Sequence, residues 1–135
     1  MSTRRRAREY VLKALYAFEQ GGQSRENISA SIIDRGGLDP KGAEFAHALY
    51  KSVLDNVKEI DKYIVKLATN WKIDRIAIVD KNILRMAIGE VEHMPDTPIK
   101  VAIDEAIELA KKYSTLESAA FVNGILDRVL RDKGE

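Results

Sequence analysis

The chain has 135 residues with no cysteine, 45% apolar and 32% charged side chains, and a formal net charge of +1. That length suits one domain with a core of useful size, the missing cysteines exclude disulfides and cysteine-ligated zinc and fit a reducing cytoplasm, and near-neutrality excludes a global field that gathers polyanions. No apolar run approaches the ~20 residues that span a bilayer, and Lys13 and Glu19 interrupt the apolar stretch a secretory signal needs after its basic start.

The first predicted helix runs from Arg4 to Gln20, with Ala7, Val11, Ala14, Leu15 and Phe18 as its buried stripe and Gly21-Gly22 as its stop. It opens with Arg4, Arg5, Arg6 and Arg8, so Met1 to Lys13 carries a local charge of +4. Cations at a helix start oppose the macrodipole, each at ~0.3–1 kcal/mol when exposed. Stability alone does not ask for this arrangement. A short amphipathic helix follows over 26–35, with Ile28, Ile32 and Ile33 inward. Asp39-Pro40 reads as an N-cap with proline at the first helical position. The run it opens extends to Asn70 and breaks near 56–59, with Phe45, Leu49 and Val53 on one face of its first part and Ile60, Ile64 and Leu67 in its second.

From Ile73 to His93 the apolar positions form a broad face, which predicts a central helix packed against several neighbours. Pro95 ends it, and Thr97-Pro98 reads as the next cap. Ile99, Ala102, Ile103, Ala106, Ala110 and Tyr113 then share one face. Ser114-Thr115-Leu116-Glu117 reads as a capping box before a last helix with Val122, Ile125, Leu126, Val129 and Leu130 inward. Alternating strand patterns are missing. The expectation is an all-α bundle of about seven helices, a single domain over 1–135 with residues 1–8 as a basic arm.

Catalytic chemistry finds little purchase. Glu44/His47 and Glu90/His93 both read E-x-x-H, the pattern of di-iron bundles. On a helical wheel Glu44 and His47 fall with Lys51, Asp55 and Lys58 on a solvated face, and His93 sits at a helix end before Pro95, so inward convergence of ligands is not expected. No Gly-rich loop follows a strand. Asp104, Glu105 and Glu108 read as surface partners of Lys111 and Lys112. No catalytic residue, metal or cofactor is expected. The arm is the stronger signal. Arg4 and Arg8 are one turn apart and Arg5 and Arg6 point elsewhere, so four guanidinium groups are expected around the helix tip. That suits wrapping by a flexible single-stranded polyanion, against the plain alternative of a solvated, snorkelling start. Candidate stacking surfaces are Tyr16, Phe121 and Tyr113. Tyr113 continues a core stripe, Phe121 flanks one, and Tyr16 lies off the stripe of its helix, either exposed or a packed boundary residue.

Three stretches, "RRRAREYVLKALYAFE" at 4–19, "VDKNILRMAIGE" at 79–90 and "PIKVAIDEAIELAKKYSTLESAAFVNGILDRV" at 98–129, together resemble the bacterial antitermination family NusB, in order and over almost the whole chain. The resemblance implies an all-helical, non-catalytic, cytoplasmic protein. Members bind the boxA element of nascent RNA, notably in ribosomal RNA leaders, together with NusE, a small-subunit ribosomal protein. That assembly joins other Nus factors on RNA polymerase, which then resists termination. Carried over by residue, Arg4, Arg5, Arg6, Arg8, Glu117, Phe121 and Asn123 match RNA-contacting positions, and Tyr16 and Asp80 match the NusE-facing side. The family pattern can carry Glu at Asp80, and larger polar or basic residues at Ala119-Ala120. Two other readings stand beside it. One is the related domain of ribosomal RNA cytosine methyltransferases, whose catalytic Cys has no counterpart here. The other is a purely protein-binding helical adaptor.

Overall fold

In the computed structural model, which describes residues 3–69 and 72–134, seven α-helices and no strand are found among the described residues. Helix α1 (Thr3–Gln20) forms because Ala7, Val11, Ala14 and Leu15 repeat at helical spacing. It stops at Gly21 and Gly22, whose φ of 85° and 90° suit glycine and few other residues. Its buried stripe is rotated from the expected one. Leu12 and Arg8 are buried, whereas Phe18 is 39% exposed. The stripe turns because α1 lies between two later helices rather than against one.

Helix α2 (Arg25–Ile28) is capped by Ser24, whose Oγ accepts from the Asn27 amide at 3.0 Å, and widens into π-type turns over Ser29–Asp34. Helix α3 (Pro40–Asp55) starts as expected: Asp39 accepts from the Gly42 amide at 2.7 Å and Pro40 fills the first turn. Phe45, Leu49 and Val53 face inward, joined by Ala46 and Tyr50. The expected break falls at Asn56, and α4 (Val57–Leu67) follows with Ile60 and Ile64 buried. The expected end of that run at Asn70 lies outside the described residues.

The long run expected from Ile73 is divided. A 3₁₀ turn (Ile73–Arg75) precedes α5 (Ile78–His93). Helix α6 (Ile99–Tyr113) and helix α7 (Leu116–Lys133) complete the bundle. Helix α5 packs against α1, α3, α4, α6 and α7, as its broad apolar face predicts. Its approach to α3 is close: a Cβ on Gly89 would stand 2.7 Å from Val53 Cγ2. The buried apolar side chains form one contiguous cluster drawn from all seven helices. Among the described residues no helix is long and apolar enough to cross a membrane.

Two caps differ from expectation. Thr97 is buried and its Oγ1 accepts from Arg4 at 3.3 Å, so α6 begins without a side-chain cap. Before α7 the cap is Thr115, which accepts from the Ser118 amide at 3.0 Å. Ser114, the expected cap, donates its hydroxyl to Asp80 instead. In both cases a partner distant in sequence takes the hydroxyl that a local pattern assigns to the helix.

Pairings between helices fix their directions. Arg8 meets Glu90 while Glu19 meets Lys81 and Arg85, so α1 and α5 are antiparallel. Arg5 meets Glu105 while Glu9 meets Lys112, so α1 and α6 are parallel. The bundle therefore has one end holding the starts of α1 and α6. At its other end α5 and α7 start and α6 finishes. Asp80 and Glu90 lie ten residues apart on α5, a rise of about 15 Å.

Candidate nucleic-acid interface

The arginine run is divided among different surroundings. Arg4 is exposed, stacks its guanidinium 4.6 Å over the Phe45 ring and donates to Thr97. Arg5 is exposed and grips Glu105 with both sides of its fork, Nε to Oε1 at 2.9 Å and Nη2 to Oε2 at 2.7 Å. The bonds from Arg5 hold the Glu105 carboxyl below its ordinary value of 4.5, against the opposing pull of partial burial. Arg6 is exposed and makes no ion pair or hydrogen bond among the described residues. Arg8 corrects the expected arrangement. It is 4% exposed and turned inward beside Ala7 and Leu12, where it forms a fork on Glu90, itself 1% exposed, at 2.8 and 2.6 Å. Three guanidinium groups, not four, surround the tip. Glu90, expected to turn away from the core, faces it as the partner of Arg8, whereas Glu44 and His93 are exposed.

An open groove of about 330 Å³ leads away from the arm between α1 and α6, lined by Arg5, Arg8, Glu9, Glu105, Lys111 and Lys112 among others. Along it Glu9 accepts from Lys112 Nζ at 3.0 Å and from Tyr113 Oη at 2.7 Å. Burial pushes the Glu9 carboxyl up, but these two donors together bring it below 4.5. Tyr113, expected in the core, is exposed, with its hydroxyl held at Glu9. Tyr16 lies two turns beyond Glu9 on the same side of α1 and is 40% exposed, which settles its open alternatives in favour of the surface.

Beyond the end of α6 the chain forms a recess of about 230 Å³, where the 3₁₀ turn, the start of α5 and the start of α7 meet. Asp80, Glu117 and Phe121 line it together with Arg75, Ile76, Ala77, Thr115 and Ser118. Glu117 is exposed and Phe121 half-buried, one turn apart on α7. Asp80 is 3% exposed and its carboxylate accepts from Ser114, which ties the α6–α7 corner to the first turn of α5. Phe121 also borders a second hollow of about 190 Å³, with Ala120, Gly124 and Arg128. Asn123 lines neither. It sits about 200° around α7 from Phe121, and its Oδ1 is buried with no hydrogen-bond partner among the described residues.

Apart from Asn123, the expected RNA residues thus fall into two groups near opposite ends of α5, with the α1–α6 groove beside the first and the recess holding the second. Arg75 had no signal in the sequence. Its neighbours Thr115, Glu117 and Phe121 come some forty residues later, and nothing in local spacing connects them.

The model of the NusB family matches residues 5–131. The chain is 45% identical over 133 residues to the transcription antitermination protein NusB of Salinibacter ruber, covering 98% of this chain and 83% of that protein. It superposes on the solved structure of T. maritima NusB with a TM-score of 0.89 at 40% identity, covering 98% of this chain and 93% of that one. A chain from the complex of antitermination factors NusB and NusE with double-stranded RNA shares the fold, with a TM-score of 0.87 at 24% identity and 98% coverage of both. The match takes in the arginine run from Arg5 onward, the groove and the recess alike, and the chain belongs to the NusB family.

Proposed function

We propose that this chain is a transcription antitermination factor that binds boxA-type single-stranded RNA together with NusE. In the cytoplasm it joins other Nus factors on RNA polymerase, which then resists termination. Its role is binding, and the reading assigns it no reaction. The observation that carries the proposal is the family match over residues 5–131, which spans both ends of the candidate interface. Arg4, Arg5 and Arg6 meet phosphates at one end. Glu117 and Phe121 meet the strand at the other, with Asn123 behind them on α7. Tyr16 and the corner held by Asp80 face NusE. The formal charge of +1 gives the chain alone only a local hold on a polyanion, so a second protein surface is needed for tight binding.

The test is a titration of fluorescently labelled boxA-type RNA with the chain alone, NusE alone and the two together. Binding is expected to be tightest for the pair. RNA affinity unchanged by NusE refutes the shared surface. A pair that binds NusE firmly but never RNA favours the adaptor reading instead.

A further inference from the structure

We infer that Arg75 is a further RNA-contacting residue, holding a phosphodiester at the rim of the recess that Glu117 and Phe121 line; the inference rests on the RNA-binding reading above. The 3₁₀ turn fixes its backbone: the Arg75 amide donates to the Lys72 carbonyl at 2.9 Å, and the next residue, Ile76, is buried in the core. Its side chain is exposed and makes no hydrogen bond or ion pair among the described residues. A positioned backbone with an uncommitted guanidinium suits capture of an anion, because no internal bond has to be broken first.

Local charge calls for such a group. Among the described residues lining the recess, Asp80 and Glu117 are acidic and Arg75 is the one cation. A polyanion crossing two carboxylates is repelled unless a cation stands beside them. The arm does not supply it. The partner of Arg8 on α5, Glu90, is about 15 Å of helix rise from Asp80. That exceeds the Debye length of about 8 Å at physiological salt, so the arm's attraction is screened at the recess. The two charge types also suit two parts of a nucleotide. Glu117 makes no hydrogen bond or ion pair among the described residues, and its carboxylate accepts from the amino groups of bases. The guanidinium takes the phosphate.

The experiment measures log affinity for labelled boxA-type RNA against log salt, using the full chain with NusE. Wild type is compared with Arg75→Ala, Arg75→Lys and Arg131→Ala. The last removes a cation at the other end of α7, where it pairs with Asp127. Arg75→Ala is expected to lower affinity roughly two- to tenfold at low salt and to flatten the slope by about 0.7, with an unchanged melting temperature. Arg75→Lys retains the wild-type slope, as does Arg131→Ala. If wild type binds RNA and Arg75→Ala matches it in affinity and slope, the inference is overturned and the RNA-binding reading stands. If wild type with NusE fails to bind RNA, both fall.

Discussion

Replacing Arg8 alone with Ala should destabilise the protein severely, although Ala is the best helix former and the change removes a cation from the positive end of a helix. Both partners of the Arg8–Glu90 pair are almost fully buried, and both carboxylate oxygens take a guanidinium hydrogen. Removing the arginine strands the Glu90 carboxylate inside the bundle without its guanidinium partner. Breaking such a pair from one side costs about 3–5 kcal/mol. The loss of a possible ~1 kcal/mol dipole penalty is too small to offset it. With a urea m-value of about 2 kcal/mol/M, a loss of about 4 kcal/mol should lower the unfolding midpoint by roughly 2 M.

A double substitution isolates the charge. Arg8→Met with Glu90→Leu removes both ions and keeps apolar volume, and replacing a buried pair in this way is often neutral or stabilising by about 1–4 kcal/mol. The double variant should therefore unfold at a higher urea concentration than Arg8→Ala, close to wild type. Two results refute the reasoning. A midpoint for Arg8→Ala within about 0.3 M of wild type shows that the pair does not hold the fold. A double variant as weak as the single shows that packing, not the stranded charge, carries the loss.

Arg4, Arg5 and Arg6 changed together to Ala should flatten the salt dependence of RNA binding by about 1.4–2, two to three phosphate contacts at about 0.7 each, while the melting curve barely moves; parallel salt slopes disprove contact by the arm. Tyr16→Asp should weaken NusE binding by ~2 kcal/mol or more, as loss of an interface anchor does. Calorimetric titration reads it, and because Tyr16 lies outside the core its helicity should match wild type. Stability should fall on acidification below about pH 4.5. Glu105 is held low first by its bonds from Arg5. Glu19 is pushed up by burial, yet Lys81 and Arg85 together bring it below the ordinary 4.5. Depressed folded values mean that the unfolded chain takes up protons first, so this contribution is present above about 4.5 and lost as pH drops through the folded values. A urea midpoint that stays flat from pH 6 to pH 3 excludes it.

The seven helices were legible because each carries its own apolar spacing and most carry their own stop signals, and those are local. Asp39-Pro40 shows this best: cap, proline and recipient amide are all within four residues. What failed needed a partner from elsewhere in the chain. Thr97 and Ser114 looked like caps until Arg4 and Asp80 claimed their hydroxyls. Tyr113 continued a core stripe until Glu9 drew its hydroxyl to the surface. Phe18 and Leu12 exchanged roles because periodicity gives a stripe its width but not its rotation when two neighbours share it. At the site, the resemblance nominated the residues, while the groove between α1 and α6 is visible only in three dimensions.

The crowded start of α1 shows the same contrast most sharply. Its first turn holds no acid, so by local rules the four arginines work against the helix. The compensating carboxylates come from α5 and α6, 82 and 100 residues away. They do not compensate equally. The Arg5–Glu105 pair leaves the arginine 47% exposed, and solvent screening makes such an exposed pair weak. An RNA phosphate can displace Glu105 at little expense, because Glu105 keeps a second guanidinium, Arg8 Nη1 at 3.6 Å. Drawing Arg8 out strands Glu90 in the core, which no single phosphate contact offsets. Arg4 can leave the Phe45 ring for a phosphate without stranding any charge. On the proposed RNA-binding reading, the arm would offer a phosphate its first three arginines in graded fashion, Arg6 without exchange and Arg4 and Arg5 with a cheap one, while the fourth anchors the helix that presents them.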